Sequence, residues 1–194
     1  MCICYKGVRV VGDIVRWAVS SGSPDGVTVT PAGNVVVAVR DAGHLIVFTP
    51  TGQVVKDVKL PAELVKPRHA FQLENEQFLL CHGWGNEAYG IHVVDSNGRV
   101  VKSATSPSST ASKLPGPRSF TPTHLALDRH GNVLMAEFSG NTVRLYNRRL
   151  EYVGDVVMES AGLKLPFRLC VDEASRRLYV GEYTQGARVL VFDR

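Results

Sequence analysis

Long hydrophobic runs are missing from this sequence. The longest apolar stretches, such as Val35–Val39 and Phe78–Cys81, are far shorter than the roughly 20 residues that a membrane-spanning helix needs. The first eleven residues also lack the apolar core and small-residue cleavage site of a secretory signal. These absences predict a soluble, cytoplasmic protein that has no membrane partner.

Cysteines are few, and their spacing excludes two common frameworks. The four cysteines are Cys2, Cys4, Cys81 and Cys170, and four in a chain of this length do not indicate a disulfide scaffold. Cys2 and Cys4 have no second cysteine pair at the spacing of a zinc site. Cys81 and Cys170 each fall within a β-patterned apolar run, which predicts buried free thiols.

Helical periodicity and catalytic motifs are also missing. No stretch longer than one turn shows the 3.6-residue pattern, whereas 18 glycines and 10 prolines separate short Val-rich runs, as in a protein of many strands and tight turns. The sequence holds no Gly-x-Ser-x-Gly elbow, phosphate loop or Cys/His nucleophile pairing. A net charge of +4 is too small to predict nucleic-acid binding without other evidence.

The sequence does contain an internal repeat. Four similar segments begin at Pro24, Pro67, Pro122 and Pro166, with spacings of 43, 55 and 44 residues. Each contains four short β-patterned runs, and a period near 40–45 residues with four strands is typical of a propeller blade. The sequence therefore predicts an all-β protein, a β-propeller of four-stranded blades.

The third repeat carries a family resemblance. Residues 131–146 read Gly-Asn, four apolar residues, an acid, a Gly/Asn turn, then Arg among alternating apolar residues, and this pattern resembles the NHL repeat. The second repeat departs from it, because residues 83–89 are inserted where a short turn belongs. The resemblance implies a propeller, usually six-bladed. It also implies a role like that of tripartite-motif ubiquitin ligases, whose propeller selects a substrate or an RNA. A RING cysteine array, a B-box and a coiled coil are absent from this sequence.

One propeller domain is expected to span residues 1–194. The predicted blades occupy residues 24–60, 67–103, 122–159 and 166–194. Val10–Val15 echoes Tyr152–Val157, the last strand of the third repeat, so an outer strand over residues 7–19 is expected to complete the last blade. Two alternatives follow for the ring, which is either closed by four blades or a fragment of a six-bladed propeller.

Candidate binding residues concentrate on one predicted loop face, at the start of each inner strand and in the insertions of the long second repeat. The residues are Arg68, His69, Trp84, Tyr89, Arg118, His124, Phe167 and Arg168. Aromatic and arginine side chains are the types that anchor protein partners, and they also bind single-stranded RNA by stacking and phosphate contact.

Three functions compete for this face. We expect a non-catalytic recognition module that binds a protein segment and carries no cofactor. Single-stranded RNA is the second alternative. The third is a metal-dependent channel enzyme of lyase or lactonase type, for which His69 and His124 are the candidate ligands.

Two acids invite a catalytic interpretation, but their spacing favours a structural one. Glu137 precedes Arg144 and Glu182 precedes Arg188, so the sequence predicts that each couple forms an ion pair across a hairpin, an interaction that contributes about 0.2–1 kcal/mol to a sheet. His82 occupies the matching position in the second repeat.

Overall fold

A computed structural model describes residues 2–4, 7–9, 16–19, 22–83, 89–104 and 121–193. Apart from two single-turn 3-10 helices, Glu74–Glu76 and Glu159–Ala161, the regular elements of this part of the chain are β-strands. None of its helices has the length and apolar composition needed to cross a bilayer. The predicted all-β class is confirmed.

The chain divides into two compact units, of which the first comprises residues 1–83 and 87–101. Two four-stranded antiparallel sheets follow one another here. The first sheet contains β4 (Pro24–Val29), β5 (Val35–Val39), β6 (His44–Phe48) and β7 (Val54–Lys59). The second contains β8 (Pro67–Gln72), β9 (Phe78–His82), β10 (Gly90–Val94) and β11 (Val100–Ser103). Each sheet begins at one of the repeated prolines, in agreement with the blade architecture.

The second unit comprises residues 84–86 and 102–194 and repeats this plan. Its four-stranded sheet contains β12 (Pro122–Leu127), β13 (Val133–Glu137), β14 (Thr142–Tyr146) and β15 (Tyr152–Val157). A three-stranded sheet follows, containing β16 (Pro166–Asp172), β17 (Arg177–Glu182) and β18 (Val189–Asp193). The described strands thus form four blade-like sheets.

The N-terminal segment differs from its predicted form. β1 (Cys2–Cys4), β2 (Gly7–Arg9) and β3 (Arg16–Trp17) form a separate three-stranded antiparallel sheet. Because the chain reverses between β2 and β3, which pair with each other, residues 7–19 are not one continuous outer strand. Residues 10–15 lie outside the described part, and completion of the last blade by this segment stays a prediction.

Side chains at the hairpin turns explain why these turns form. Asp128 Oδ1 accepts hydrogen bonds from the backbone N–H groups of His130 and Asn132, each at 2.9 Å, which is the bond pattern by which Asp favours turns. Gly131 adopts a φ of 76°, a left-handed conformation that glycine reaches without steric cost. The first sheet uses the same device, since Thr30 Oγ1 accepts from the N–H of Asn34 at 3.1 Å.

Each unit has its own apolar core, shared by its two sheets. In the first unit, Val36, Ala38 and Leu45 pack with Phe78 and Leu80 of the second sheet. The whole of β5, β9 and β13 is buried, because the second strand of these sheets is covered on both faces. A strand that is buried on both faces has no polar side to alternate with its apolar side, which accounts for the unbroken apolar runs in the sequence.

The innermost strands of the first unit approach each other closely at Gly26. A Cβ atom on Gly26 would lie 2.3 Å from the carbonyl oxygen of Arg68 and 2.7 Å from Cα of His69. Two residues further along, Thr28 Oγ1 donates a hydrogen bond to the carbonyl oxygen of Ala70 at 2.6 Å. The contact between β4 and β8 therefore requires glycine at position 26.

Gly26→Ala is expected to lower the free energy of unfolding by about 1–3 kcal/mol, since backbone atoms must move to admit the methyl group. Gly154→Ala is the matched control, because a Cβ there meets no atom within 4 Å, and it should change stability by no more than about 0.5 kcal/mol. Urea unfolding followed by circular dichroism measures both variants. Equal stability of the two variants would contradict the close approach.

Candidate functional site

A β-bulge opens the first strand of all four described blade sheets. The pairing register shifts between Pro24 and Gly26, and at the matching step in each later sheet. From the first sheet to the last, the residue within the shift is Asp25 of β4, Arg68 of β8, Thr123 of β12 and Phe167 of β16. Because a bulge redirects the side chains beside it, the residue type at this position determines what each sheet presents at that end.

Asp25 and Arg68, the two bulge residues of the first unit, form an ion pair with each other. Arg68 Nη1 lies 2.9 Å from Asp25 Oδ2, and the Arg68 side chain is only 4% exposed. Burial lowers the pKa of Arg68, while the charge of Asp25 acts in the opposite direction. The predicted role of Arg68 as an exposed partner contact is therefore corrected to a structural role, because its charge is directed at a residue of the neighbouring strand.

The two histidines proposed as metal ligands take part in packing. His69 is buried and meets the edge of Phe71, with the ring centroids 5.0 Å apart. His124 Nδ1 accepts a hydrogen bond from the N–H of Leu169 at 3.3 Å. Within the described residues, no group of three or more His, Cys, Asp or Glu side chains is placed to hold a metal ion.

Three other predicted contacts have separate outcomes. Trp84 and Arg118 lie outside the described residues. Tyr89, just before β10, is exposed.

Of the two cysteines predicted to be buried, Cys81 is buried, whereas Cys170 is exposed on β16. The Cys170 prediction was wrong because the apolar pattern of β16 does not reveal which of its faces is covered.

The second unit carries a group of three aromatic rings, Phe138, Phe167 and Tyr183, which we call the aromatic cluster. The ring centroids of Phe167 and Tyr183 are 5.3 Å apart, and the centroid of Phe138 lies 6.3 Å from that of Phe167 and 6.2 Å from that of Tyr183. Tyr183 is 66% exposed. Such spacings are those of interacting aromatic pairs. Phe138 and Phe167 are half-buried, so the cluster is open to solvent mainly at Tyr183.

Arg168 adds a positive charge to the aromatic cluster. Its guanidinium carbon lies 4.2 Å from the ring centroid of Phe167, within the range of a cation–π contact. Its Nη1 donates a hydrogen bond to the carbonyl oxygen of Phe167 at 3.0 Å. Phe167 and Arg168 thus lie together, as expected from their adjacent positions at the start of the repeat.

Phe138 and Tyr183 were missed at the level of the sequence, although a signal was present. Phe138 directly follows β13 and Tyr183 directly follows β17, so both occupy the same repeat position. Arg40 and Gly83 hold that position in the first unit. Comparing this position across the repeats would have shown that aromatic residues occur there only in the last two repeats.

The last residue of β13 and of β17 is a glutamate, and its carboxylate accepts hydrogen bonds from the backbone of the segment that precedes its own sheet. Glu137 Oε1 accepts from the N–H groups of Thr121 and Ser139 at 2.9 and 3.1 Å. Burial raises the pKa of Glu137, and the Thr121 hydrogen bond partly offsets the increase. Glu182 Oε1 accepts from the N–H of Lys164 at 2.6 Å. These contacts give both acids a structural role.

The two predicted ion pairs have different outcomes. Glu182 Oε2 lies 2.8 Å from Arg188 Nη2, so this pair is present. Glu137, however, is opposite Thr142 in the β13–β14 ladder. Arg144 is opposite Asp155 on β15, with its Nε 3.6 Å from Asp155 Oδ1. The positive charge of Arg144 also acts on Glu137, where it partly offsets the rise in pKa that burial causes, so Arg144 interacts with an acid on each side and its pairing with Glu137 stays a prediction.

Comparisons with known proteins agree with the fold. The profile of the family described as SMP-30/Gluconolactonase/LRE-like region matches residues 6–72, about a third of the chain. No curated protein matches the sequence. The propeller expected from the NHL resemblance is confirmed, while the NHL assignment itself stays a prediction.

Solved structures provide the second comparison. Virginiamycin B lyase from Staphylococcus aureus superposes with a TM-score of 0.64 at 14% identity, covering 97% of this chain and 62% of the lyase. A streptogramin B lyase gives 0.63 at 13% identity over 94% of this chain and 59% of that chain. The WD40 β-propeller domain of Doa1 gives 0.69 at 15% identity over 97% of this chain and 58% of that chain. The chain thus spans about three fifths of the length of these proteins, and the likeness shows a β-propeller fold.

Glu182→Ala is expected to lower the free energy of unfolding by about 1–3 kcal/mol, because it leaves the N–H of Lys164 without its acceptor and Arg188 without its counter-ion. Asp193→Ala serves as the control, since that side chain is 90% exposed and its pair with Arg177 is open to solvent, where ion pairs contribute little. Thermal and urea unfolding should show no measurable change in the control. An equally stable Glu182→Ala protein would refute the structural role of Glu182.

Proposed function

We propose that this protein is a non-catalytic recognition module that binds an extended protein segment through the aromatic cluster and Arg168. The observation that carries the proposal is the grouping of three rings at one end of the second unit, where Tyr183 is exposed and Phe138 and Phe167 are half-buried. Aromatic and arginine side chains dominate the binding energy of protein interfaces. Exposed apolar surface that is grouped in this way is a feature of interaction sites rather than of ordinary solvated surface.

The aromatic cluster is held in place before any partner arrives. The N–H of Phe138 donates to the carbonyl oxygen of Thr121, and that of Tyr183 donates to the carbonyl oxygen of Leu165, both at 2.9 Å. The buried carboxylates of Glu137 and Glu182 lie one residue before the two rings and fix the same segments. A preorganised surface loses less conformational entropy on binding, which supports a recognition function.

The charges around the cluster favour protein over RNA. Arg168 stacks on Phe167, but Arg188 is paired with Glu182, and Glu137 adds a second carboxyl group nearby. Binding of single-stranded RNA needs a positively charged groove that follows the backbone, and these residues form no such row. Selection of a substrate for a ubiquitin ligase is one use of the module that the NHL resemblance suggests.

Panning a random peptide library against the purified protein, followed by calorimetry with the enriched peptides, tests the proposal. Phe167→Ala and Tyr183→Ala are each expected to weaken peptide binding about tenfold or more, equivalent to about 1.4 kcal/mol. Val153→Ala, a change at an exposed valine of β15, should leave the affinity unchanged. Peptides that bind both cluster variants as tightly as the unchanged protein would reject this surface.

Labelled single-stranded RNA, titrated at several salt concentrations, separates the second alternative. RNA binding that weakens steeply with salt and is reduced by Arg168→Ala would favour it over a protein ligand. The proposed module should show no such binding.

The competing enzymatic function draws on the family profile at residues 6–72, whose name includes gluconolactonase. It predicts that the purified protein hydrolyses a lactone such as gluconolactone and that chelation of divalent ions abolishes the activity. The recognition module predicts no turnover with or without added metal. Chelator-sensitive hydrolysis would therefore replace the proposed function with an enzymatic one.

A further inference from the structure

The hairpin of β9 and β10 in the first unit brings two imidazole rings together. In the ladder, His82 is opposite Gly90, and His92 is opposite Leu80. The two histidines are therefore diagonal neighbours on the same face of the sheet. Their ring centroids are 5.0 Å apart, and the ring planes are tilted by 46°.

Gly90 makes room for this arrangement. A Cβ atom on Gly90 would lie 2.6 Å from Nε2 of His92, so the ring of His92 extends over Gly90. Because Gly90 is the ladder partner of His82, Nε2 of His92 is directed towards the His82 side of the hairpin. Any larger residue at position 90 would displace the His92 ring.

His82 has the hydrogen bonding of a metal ligand. Its Nδ1 lies 3.2 Å from the carbonyl oxygen of Val65, and a carbonyl can only accept, so Nδ1 carries the proton. Nε2 then has a lone pair, which is buried and has no hydrogen-bond partner among the described residues. A ring N–H donated to a backbone carbonyl, with the other nitrogen left to coordinate, is the usual arrangement of metal-binding histidine.

The two rings differ in their access to solvent. His82 is only 2% exposed, whereas His92 is partly exposed and provides a route from solvent.

We propose that His82 Nε2 and His92 together bind one divalent transition-metal ion, of the class of zinc, nickel or copper, with water at the remaining coordination positions. Imidazole nitrogen favours these ions over calcium and magnesium, which prefer oxygen ligands. The ion would link β9 to β10. This site belongs to the first unit and does not depend on the proposed function of the aromatic cluster.

Calorimetric titration of the chelator-treated protein with zinc, nickel and copper(II) salts tests the site. Binding of one ion per chain is expected, tightest for copper and undisturbed by excess calcium or magnesium. His92→Phe keeps a ring beside His82 but removes a ligand, and it should weaken binding about tenfold or more. Loss of a residue that merely supports a metal ligand already lowers affinity by about that factor. His130→Gln, a change at an exposed turn, should have no effect.

A further readout locates the ion. Paramagnetic copper should broaden the backbone amide NMR signals of β9 and β10 before those of other strands, a result that does not depend on any variant. The proposal is overturned if the protein binds none of the three ions, or if the broadened signals belong to other strands. Unchanged affinity in a folded His92→Phe protein would overturn it as well.

Discussion

The packing of neighbouring sheets against each other within a unit is the constraint on which the other features depend. A four-stranded sheet of this size cannot bury its apolar residues alone, and here a core shared by two sheets covers them. The second strands β5, β9 and β13 are buried throughout, and in β5 a further cluster that includes Val35, Val37 and Val39 covers the opposite face. Because both faces of these strands are covered, the polar side chains of β9 and β13, His82 and Glu137, lie at the ends of the strands.

The ends of the sheets are accordingly where the two units differ in chemistry. The same bulge position holds the buried pair of Asp25 and Arg68 in the first unit and the partly exposed Phe167 in the second. The residue after the second strand is aromatic in both sheets of the second unit. One backbone design thus yields a closed ionic contact in one unit and an accessible aromatic surface in the other.

Sequence reasoning succeeded where the chemistry is local. Repeated prolines marked the first strands, and the short spacing of Glu182 and Arg188 marked an ion pair that the structure contains. It failed where the answer depends on a neighbouring strand. The burial of Arg68 and the exposure of Cys170 both depend on contacts between strands that spacing along the chain does not specify.

Residue-resolved hydrogen exchange of the unmodified protein tests the packing constraint most directly. The account predicts that amides of β5, β9 and β13 exchange slowest, with protection close to that of global unfolding, whereas amides of the outer strands β7, β11 and β15 exchange sooner through local opening. Outer strands that are as well protected as the second strands, or second strands that exchange first, would contradict the shared core from which this account begins.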